Sequence, residues 1–262
     1  MICLAARLRR YTLCGLTVML WSCAAQAIVN IEGLRGESSA PGLSGALNLS
    51  FSGAEGNTKK FATSTGIRLL WRQPQSSTLV IASHDYGSSN RVRDTNKTFI
   101  HVREVVARDE RLSYEGFVQG ERNEFTRLSL RTLIGGGVRL RLHENNSGET
   151  RLGVGAFHST EKLDDNPLYS DTGTERLWRG NLYLAVEYRI YANIKLESTS
   201  YFQPAVKDTA DYRLLEQAAA HFTINDHLAL RLSLDVAHDS RPPQSVDRTD
   251  INYLSGLEYT FE

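Results

Sequence analysis

Leu228-Ala-Leu-Arg-Leu-Ser-Leu-Asp-Val236 is the stretch that decides the fold. Its leucines and Val236 occupy every second position, and Arg231, Ser233 and Asp235 lie between them. Because side chains point alternately to the two faces of a β-strand, this stretch is predicted to form a strand with one apolar and one polar face. A segment of the same kind, Ile251–Phe261, follows near the C-terminus. Strands of this type, repeated many times, are typical of a transmembrane β-barrel.

The alternation continues through most of the chain and predicts about twelve strands. Each is at least as long as the roughly 9–11 residues that a tilted strand needs to cross a bilayer. An even number returns both chain ends to the periplasmic side, as in bacterial single-chain barrels. The predicted strands cover residues 43–53, 59–72, 76–87, 95–108, 110–121, 126–142, 150–161, 176–190, 193–203, 211–224, 227–238 and 249–261.

The predicted connections alternate between tight turns and longer polar loops. This asymmetry is typical of outer-membrane barrels, in which the periplasmic turns are short and the outer loops long. The prolines all lie outside strand interiors, where a missing N–H would break the ladder. We expect a longer turn at residues 143–149 and long outer loops at residues 88–94, 162–175, 204–210 and 239–248.

The first residues have the pattern of an export signal. Three arginines precede a short apolar core, and Ala25-Gln26-Ala27 is a small-residue cleavage site. We therefore expect a signal peptide at residues 1–27, a periplasmic lead-in at residues 28–42 and an outer-membrane β-barrel at residues 43–262. An alternative is a lipoprotein signal with Cys23 as the lipidated residue, although the bulky Trp21 fits that motif poorly.

Composition excludes several classes of protein. All three cysteines, Cys3, Cys14 and Cys23, lie in the predicted leader, which argues against a disulfide scaffold and a thiol enzyme. Removing three leader arginines from 30 basic residues leaves 27 against 30 acidic residues, a net charge of −3. This balance gives no reason to expect nucleic acid as a partner. Beyond the leader, no apolar stretch approaches the ~20 residues of a membrane-spanning helix.

Charged residues of both signs occupy the inward positions of the predicted strands. They would either line a polar lumen that passes small solutes, or brace the wall through Arg–carboxylate pairs. A barrel of about twelve strands lies between a filled interior and an aqueous channel, which favours bracing. The predicted lumen charges are Arg68, Arg72, Glu115, Arg131, Arg139, Arg141, Glu187, Arg189, Lys195, Glu197, Arg231, Asp235 and Glu258.

Aromatic residues cluster near the predicted strand ends. Amphipathic rings favour the interface between hydrocarbon and water, so two girdles are expected. The predicted girdle residues are Trp71, Phe99, Trp178, Tyr188, Phe202, Tyr212, Tyr259 and Phe261.

Three further hypotheses concern binding or chemistry. Asp164, Asp165 and Asp171 supply oxygen ligands that could hold a divalent cation, but acidic loops are usually only solvated. His158 could serve a phospholipase together with a serine on a neighbouring strand. Arginines in or beside the outer loops could contact lipopolysaccharide phosphate, although ordinary surface charge explains them nearly as well. These arginines are Arg91, Arg93, Arg122, Arg127, Arg241 and Arg248. The sequence predicts no cofactor, no metal site and no catalytic residue.

Several short segments resemble a known family. They are Val29–Glu32, Gly45–Phe51, Gly56–Thr58, Arg127–Arg131 and Gly135–Gly137. The chain resembles the YdiY-like, salt-induced outer-membrane protein family, a domain of unknown function. The resemblance implies an outer-membrane barrel linked to salt or osmotic stress, and it implies no catalytic residues. Chains of this class usually end on an aromatic residue, whereas Glu262 follows Phe261 here.

The leading hypothesis is therefore a non-enzymatic, structural or stress-related barrel in the outer membrane, with a polar, braced lumen. Its expected partners are outer-membrane lipid, lipopolysaccharide and, through the C-terminal strand, the barrel-assembly machinery. The alternatives are a narrow channel for ions or small solutes, a lipid-modifying enzyme, and a soluble periplasmic β-sandwich or lipocalin-like carrier.

Overall fold

The computed structural model describes residues 41–56, 59–225 and 228–259. These residues form one antiparallel sheet in which every strand pairs with its neighbours in sequence. The predicted leader, with its cleavage residues Ala25 and Ala27, lies outside the described residues, as does most of the lead-in. The twelve strands are β1 (Gly42–Ala54), β2 (Lys60–Arg72), β3 (Ser76–Ser89), β4 (Val92–Ala107), β5 (Leu112–Asn123), β6 (Leu128–Asn145), β7 (Gly148–Leu163), β8 (Thr174–Tyr191), β9 (Ile194–Pro204), β10 (Tyr212–Asn225), β11 (Leu228–Asp239) and β12 (Thr249–Tyr259).

The strand pattern agrees with the alternation in the sequence. The strands are 11 to 18 residues long, which is enough for a tilted crossing of a bilayer. A single 3-10 turn at Glu124–Thr126 is the one helical segment of the described residues. Within that part of the chain, no helix is long and apolar enough to cross a membrane. The prediction of an all-β antiparallel protein is confirmed.

Two connections differ from the sequence-based expectation. The segment expected to be a long loop at residues 88–94 is a two-residue turn, in which Asn90 and Arg91 have φ values of 50° and 66°. Positive φ at both central positions matches the right-handed twist of the flanking strands and allows a tight hairpin. The connection at residues 143–149 is also a two-residue turn, because the Asn145 side chain accepts hydrogen bonds from the backbone N–H groups of Ser147 and Gly148 at 2.8 and 3.0 Å.

The sheet curls so that one face encloses an interior. Contacts between strands that are not neighbours show this directly: Arg213 of β10 reaches Glu161 of β7, and Tyr183 of β8 reaches Glu115 of β5. Two apolar clusters help to fill the interior. One consists of Leu70, Leu79, Ile81 and Phe99, and the other contains Tyr183, Tyr201 and Leu215.

The outer face of the sheet is mainly apolar and exposed. Leu47, Ile134 and Tyr253 expose 77%, 61% and 78% of their surface. Two carboxylates interrupt this face, and hydroxyl groups of adjacent strands contact both. Glu104 accepts a hydrogen bond from Thr78. Glu216 accepts hydrogen bonds from the hydroxyls of Ser198, at 2.7 Å, and Ser200. The register around Glu216 is regular, so its outward position does not arise from a slip of the strand.

The expected closure of the barrel is not found in the described residues. The sheet order runs from β1 to β12, and no backbone pairing joins these two strands. β1 presents short side chains such as Ser44 and Ser50 to the inner side, and both are exposed. Because a serine hydroxyl carries no charge, these two described side chains can form no ion pair with β12. Alternation alone predicted the twelve strands but could not determine their closure.

Candidate functional site

The register places the sequence-predicted charges together on the inner face of the sheet. Cross-strand partners such as Arg131 and Glu161, or Glu187 and Glu197, lie opposite each other in the ladder. Glu115, Arg131 and Arg139 are buried, whereas Arg189 and Arg231 are exposed. The side chain of Glu258 lies outside the described part of the chain. The charges are thus not equivalent, since some are packed inside and others are exposed. The turn end of the interior is the end with the turns at residues 73–75 and 192–193, and the loop end is the opposite one, with the loops before β8 and β12.

A chain of ion pairs crosses the interior near the loop end. Glu161 of β7 lies at its centre and accepts hydrogen bonds from Arg131 of β6 at 3.0 Å and from Arg213 of β10 at 2.6 Å. The other nitrogens of the same two arginines extend the chain. Arg213 Nε lies 2.8 Å from Asp239 Oδ2, and Arg131 Nη1 lies 3.5 Å from Glu121 Oε2. Because these residues belong to five strands, the network ties opposite parts of the curled sheet together.

A second brace joins β4, β5 and β8. Arg103 Nη2 lies 2.9 Å from Glu115 Oε2, and both side chains are only 2% exposed. The Tyr183 hydroxyl donates a hydrogen bond of 2.9 Å to the same carboxylate oxygen. The Tyr183 ring lies against Gly153, where a Cβ atom would collide with it. Glycine at this position therefore leaves the space that the ring occupies.

A third pair closes the interior beside the loop after β9. Arg179 Nη2 forms a forked contact with Asp211, at 2.9 and 3.1 Å from the two carboxylate oxygens. The Arg179 side chain is 2% exposed. Nearby, the Gln203 amide donates a hydrogen bond of 2.9 Å to Asn181. Arg179 Nη1 also donates to the backbone carbonyls of Gln203 and Asp211, so the whole guanidinium group is held in place.

Two long loops are clamped by Arg127, which has a left-handed backbone with a φ of 58°. Its guanidinium lies 2.9 Å from Asp164 and 2.7 Å from Asp171, and its centre is 3.8 Å from the Tyr169 ring. It also donates a hydrogen bond of 3.1 Å to the Gln244 carbonyl, so that the loops before β8 and β12 meet over the end of the interior.

The acidic loop is thus bound to an arginine. Asp165 only approaches Lys162, at 3.9 Å. Among residues 41–56, 59–225 and 228–259, no group of three potential metal ligands lies together. The backbone N–H of Gln244 lowers the pKa of Asp171 most, partial burial opposes this, and Arg127 lowers it further. Asp171 therefore stays ionised well into the acidic range and keeps the clamp closed.

The turn end of the interior holds a cavity of about 1000 Å³. The turn between β2 and β3, at residues 73–75, and the turn at residues 192–193 both line it. Its lining contains six lysine or arginine side chains and three glutamates, and strands as far apart in the sheet order as β2 and β11 contribute to it. We call this cavity the basin. At the loop end, by contrast, buried ion pairs and apolar side chains occupy the space.

The predicted girdle residues fall into three groups. Trp71, Trp178 and Phe202 lie on the outer face and are exposed. Tyr188 and Tyr212 lie on the same face and are partly exposed. The side chains of Tyr259 and Phe261 lie outside the described residues.

The prediction that Phe99 belongs to an aromatic girdle is wrong. The Phe99 side chain is 1% exposed, belongs to the inner apolar cluster and stacks on His101, so it cannot meet the membrane interface. The neighbouring inward positions carry His101, Arg103 and Val105. Because polar and apolar residues are mixed there, hydrophobicity alone does not show which face of the strand points inward.

The remaining candidates lie apart from one another. Arg93 pairs with Glu124 at 2.8 Å, and Arg241 pairs with Asp208 at 2.7 Å. His158 faces outward, with its ring centre 5.4 Å from that of Trp178. Arg91, Arg122 and Arg248 are exposed at the loop end. These contacts give His158 no neighbouring nucleophile among the described hydrogen bonds.

The residues that carry most of the bracing are not among the charges predicted from the sequence. They are some of the most buried charges of the described residues: Arg103, Glu121, Glu161, Arg179 and Arg213. Each lies in phase with inward residues of its own strand, so the period-two pattern contained the necessary signal.

The model of the family described as “Protein of unknown function, DUF481” matches residues 47–261. No curated protein matches the chain. Among solved structures, the chain is similar to the NanC porin, at 11% identity and a TM-score of 0.49, covering 82% of this chain and 100% of that one. It is also similar to the CymD monoaromatic hydrocarbon channel, at 10% identity, 85% and 80% coverage and a TM-score of 0.44. A third similar structure is the translocator domain of the autotransporter NalP from Neisseria meningitidis, at 12% identity, 87% and 91% coverage and a TM-score of 0.41.

Proposed function

Because the chain belongs to the family described as “Protein of unknown function, DUF481”, which confirms the resemblance seen in the sequence, we propose a function from its own sheet. The protein is an integral, non-enzymatic β-barrel of the bacterial outer membrane. It serves as a rigid wall element with a blocked interior. Its expected role in salt or osmotic stress follows from the family resemblance, and a deletion strain should then grow more slowly at raised salt.

The observation that carries this proposal is the ion-pair chain through Glu161. It connects strands on opposite sides of the interior, and loops held by Arg127 cover the same end. A wide aqueous pore would keep such charges apart and hydrated. Here the side chains of Arg131 and Arg213 are 7% and 6% exposed, which supports a filled passage.

The outer face supports a position in the membrane. Its apolar rows would meet lipid, and the two carboxylates on it already have hydroxyl partners. Backbone groups at a free sheet edge would lack partners in hydrocarbon, so a sheet in a membrane must close. We therefore propose that the edges of β1 and β12 pair in the bilayer. The other expected partners, lipopolysaccharide and the barrel-assembly machinery, act at the loops and at the C-terminal strand.

Cysteine cross-linking tests the closure. Single cysteines replace Leu47, Leu49 or Phe51 in β1, each combined with a cysteine at Tyr253 or Ser255 in β12. These positions point outward, and the sequence has no cysteine after Cys23, so the background is clean. Oxidation in outer membranes should cross-link at least one pair in high yield, because paired strands bring Cβ atoms to about 4.5–5.5 Å.

A distant pair provides the control. Cysteines at Leu49 and Val154 of β7 face outward on strands that do not pair, and they should remain uncross-linked. If no β1–β12 pair cross-links while the proteins reach the outer membrane, the closed wall is refuted.

Planar-bilayer recording tests the blocked interior. The refolded wild-type protein should give no steady conductance, and the double variant Glu161→Ala/Arg213→Ala should give discrete steps, because two side chains leave the passage together. The surface variant Asp208→Ala/Arg241→Ala removes a matched ion pair outside the interior and should stay silent. Steady conductance of the wild type would refute the blocked wall.

The second candidate function is a narrow channel. The basin at the turn end favours it, because this cavity already opens part of the interior. The same recording separates the two candidates. A channel conducts as wild type and changes its selectivity when basin arginines are replaced, whereas a wall element does neither.

A further inference from the structure

The basin at the turn end is lined by charged side chains, and only some of them form ion pairs. Lys195 lies 3.0 Å from both Glu187 and Glu197. Arg151 pairs with Glu149 on the same strand. All three carboxylates of the described lining are thus engaged.

Three arginines of the basin remain without such partners. Among the side chains that the structure describes, the guanidinium groups of Arg72, Arg189 and Arg231 form no ion pair and no hydrogen bond. The contrast with the loop end is direct, since Arg127, Arg131, Arg179 and Arg213 are all ion-paired there.

The three unpartnered arginines surround the cavity. Arg72 lies at the end of β2, Arg189 near the end of β8 and Arg231 in β11. In a curled sheet of twelve strands, β2 and β8 lie on opposite sides. A ligand in the basin could therefore meet guanidinium groups from more than one direction, and the turn end gives it access, whereas the loop end is packed.

Guanidinium forks match the oxygens of phosphate in bidentate geometry. A volume of about 1000 Å³ is at the upper end of the range of small-molecule sites. We propose that the basin binds a phosphate-bearing anion through Arg72, Arg189 and Arg231. This site goes beyond the wall function and does not require conduction. The phosphate can belong to a free small molecule or to a lipid headgroup that enters from the inner leaflet side.

Binding is tested with the full chain refolded in a neutral detergent. Two probes separate the sources of phosphate: inorganic pyrophosphate as a soluble anion, and dihexanoyl phosphatidic acid as a soluble headgroup. Calorimetric titration should give saturable binding of at least one probe. The triple variant Arg72→Gln/Arg189→Gln/Arg231→Gln should bind at least tenfold more weakly, and a triple lysine variant, which keeps charge but loses the forks, should be intermediate.

A control variant separates the basin from general charge. Arg91→Gln/Arg122→Gln/Arg248→Gln removes the same charge from the loop end and should bind like the wild type. Binding of pyrophosphate alone identifies a soluble ligand, and binding of phosphatidic acid alone identifies a headgroup. Absence of saturable binding of both probes at millimolar concentration, or an equal loss in the control, overturns the proposal. Should the glutamine variant fail to refold, the lysine variant decides, and unchanged affinity in it also overturns the proposal.

Discussion

Removing the carboxylate of Glu161 should destabilise the protein more than any other single charge removal. Its side chain is 11% exposed and contacts Arg131 and Arg213 at 3.0 and 2.6 Å. The variant Glu161→Ala leaves two buried guanidinium groups facing each other across the vacated space. Loss of one partner of a buried ion pair costs about 3–5 kcal/mol, and we expect a loss in that range.

Urea-induced unfolding in lipid vesicles, followed by the gel mobility shift of unheated samples, measures the change. Lys162→Ala is the matched control, since its pair with Asp165 spans 3.9 Å at the surface and should contribute about 0–1 kcal/mol. The double variant Glu161→Ala/Arg213→Ala should lose less than the sum of its single variants, because both replacements remove the same ion pair and Arg131 no longer faces a second guanidinium group. A loss below about 1 kcal/mol for Glu161→Ala would refute the reasoning that the network braces the sheet.

Three further outcomes are expected. Gly153→Leu should displace the Tyr183 ring and cost about 1–3 kcal/mol through overpacking, seen as a lower temperature for the gel mobility shift. Phe99→Ala should cost about 3–5 kcal/mol in the same urea assay, as for a buried aromatic residue, whereas an interfacial residue would lose far less. The pKa of Asp171 is lower in the folded protein than in the unfolded chain. Its contact with Gln244 therefore stabilises the folded protein fully above the ordinary carboxyl pKa, and this stabilisation is lost as the pH falls through the lowered pKa. Hydrogen exchange of the loop at residues 240–248, corrected for intrinsic rates, should therefore rise only in strong acid, and Asp171→Ala should raise it at neutral pH.

The strands and their faces could be predicted because both follow from local alternation. Leu228 to Val236 has one apolar row, and the structure puts that row outside, with Arg231 and Asp235 inside. The predicted ends of the strands lie within three residues of the observed ends, apart from the end of β12, where the described residues stop at Tyr259. Local sequence thus determines where the strands begin and end.

The ion-pair partners could not be predicted because they depend on the curvature of the sheet. Arg213 and Glu161 are 52 residues apart and lie on strands that are not neighbours. Their meeting depends on the tilt of the strands and on the distance across the interior, which no short pattern encodes. The position of Phe99 was predicted wrongly for a different reason, since its inner row also contains His101 and Arg103, so that neither row of β4 is purely apolar.

Arginines at the loop end of the interior are ion-paired, whereas, among the described side chains, three arginines at the turn end are not. This difference limits how a solute could pass through the interior. Opening the loop end would separate at least one arginine from its carboxylate, at a cost of about 3–5 kcal/mol. With a tenfold change per 1.4 kcal/mol, between about one molecule in 150 and about one in 4,000 would be open at a given moment. A ligand seated among Arg72, Arg189 and Arg231 would not lower this cost by itself, because those residues take no part in the Glu161 network. Binding at the turn end and passage through the loop end are therefore separable properties, and replacement of the basin arginines should change the first without creating the second.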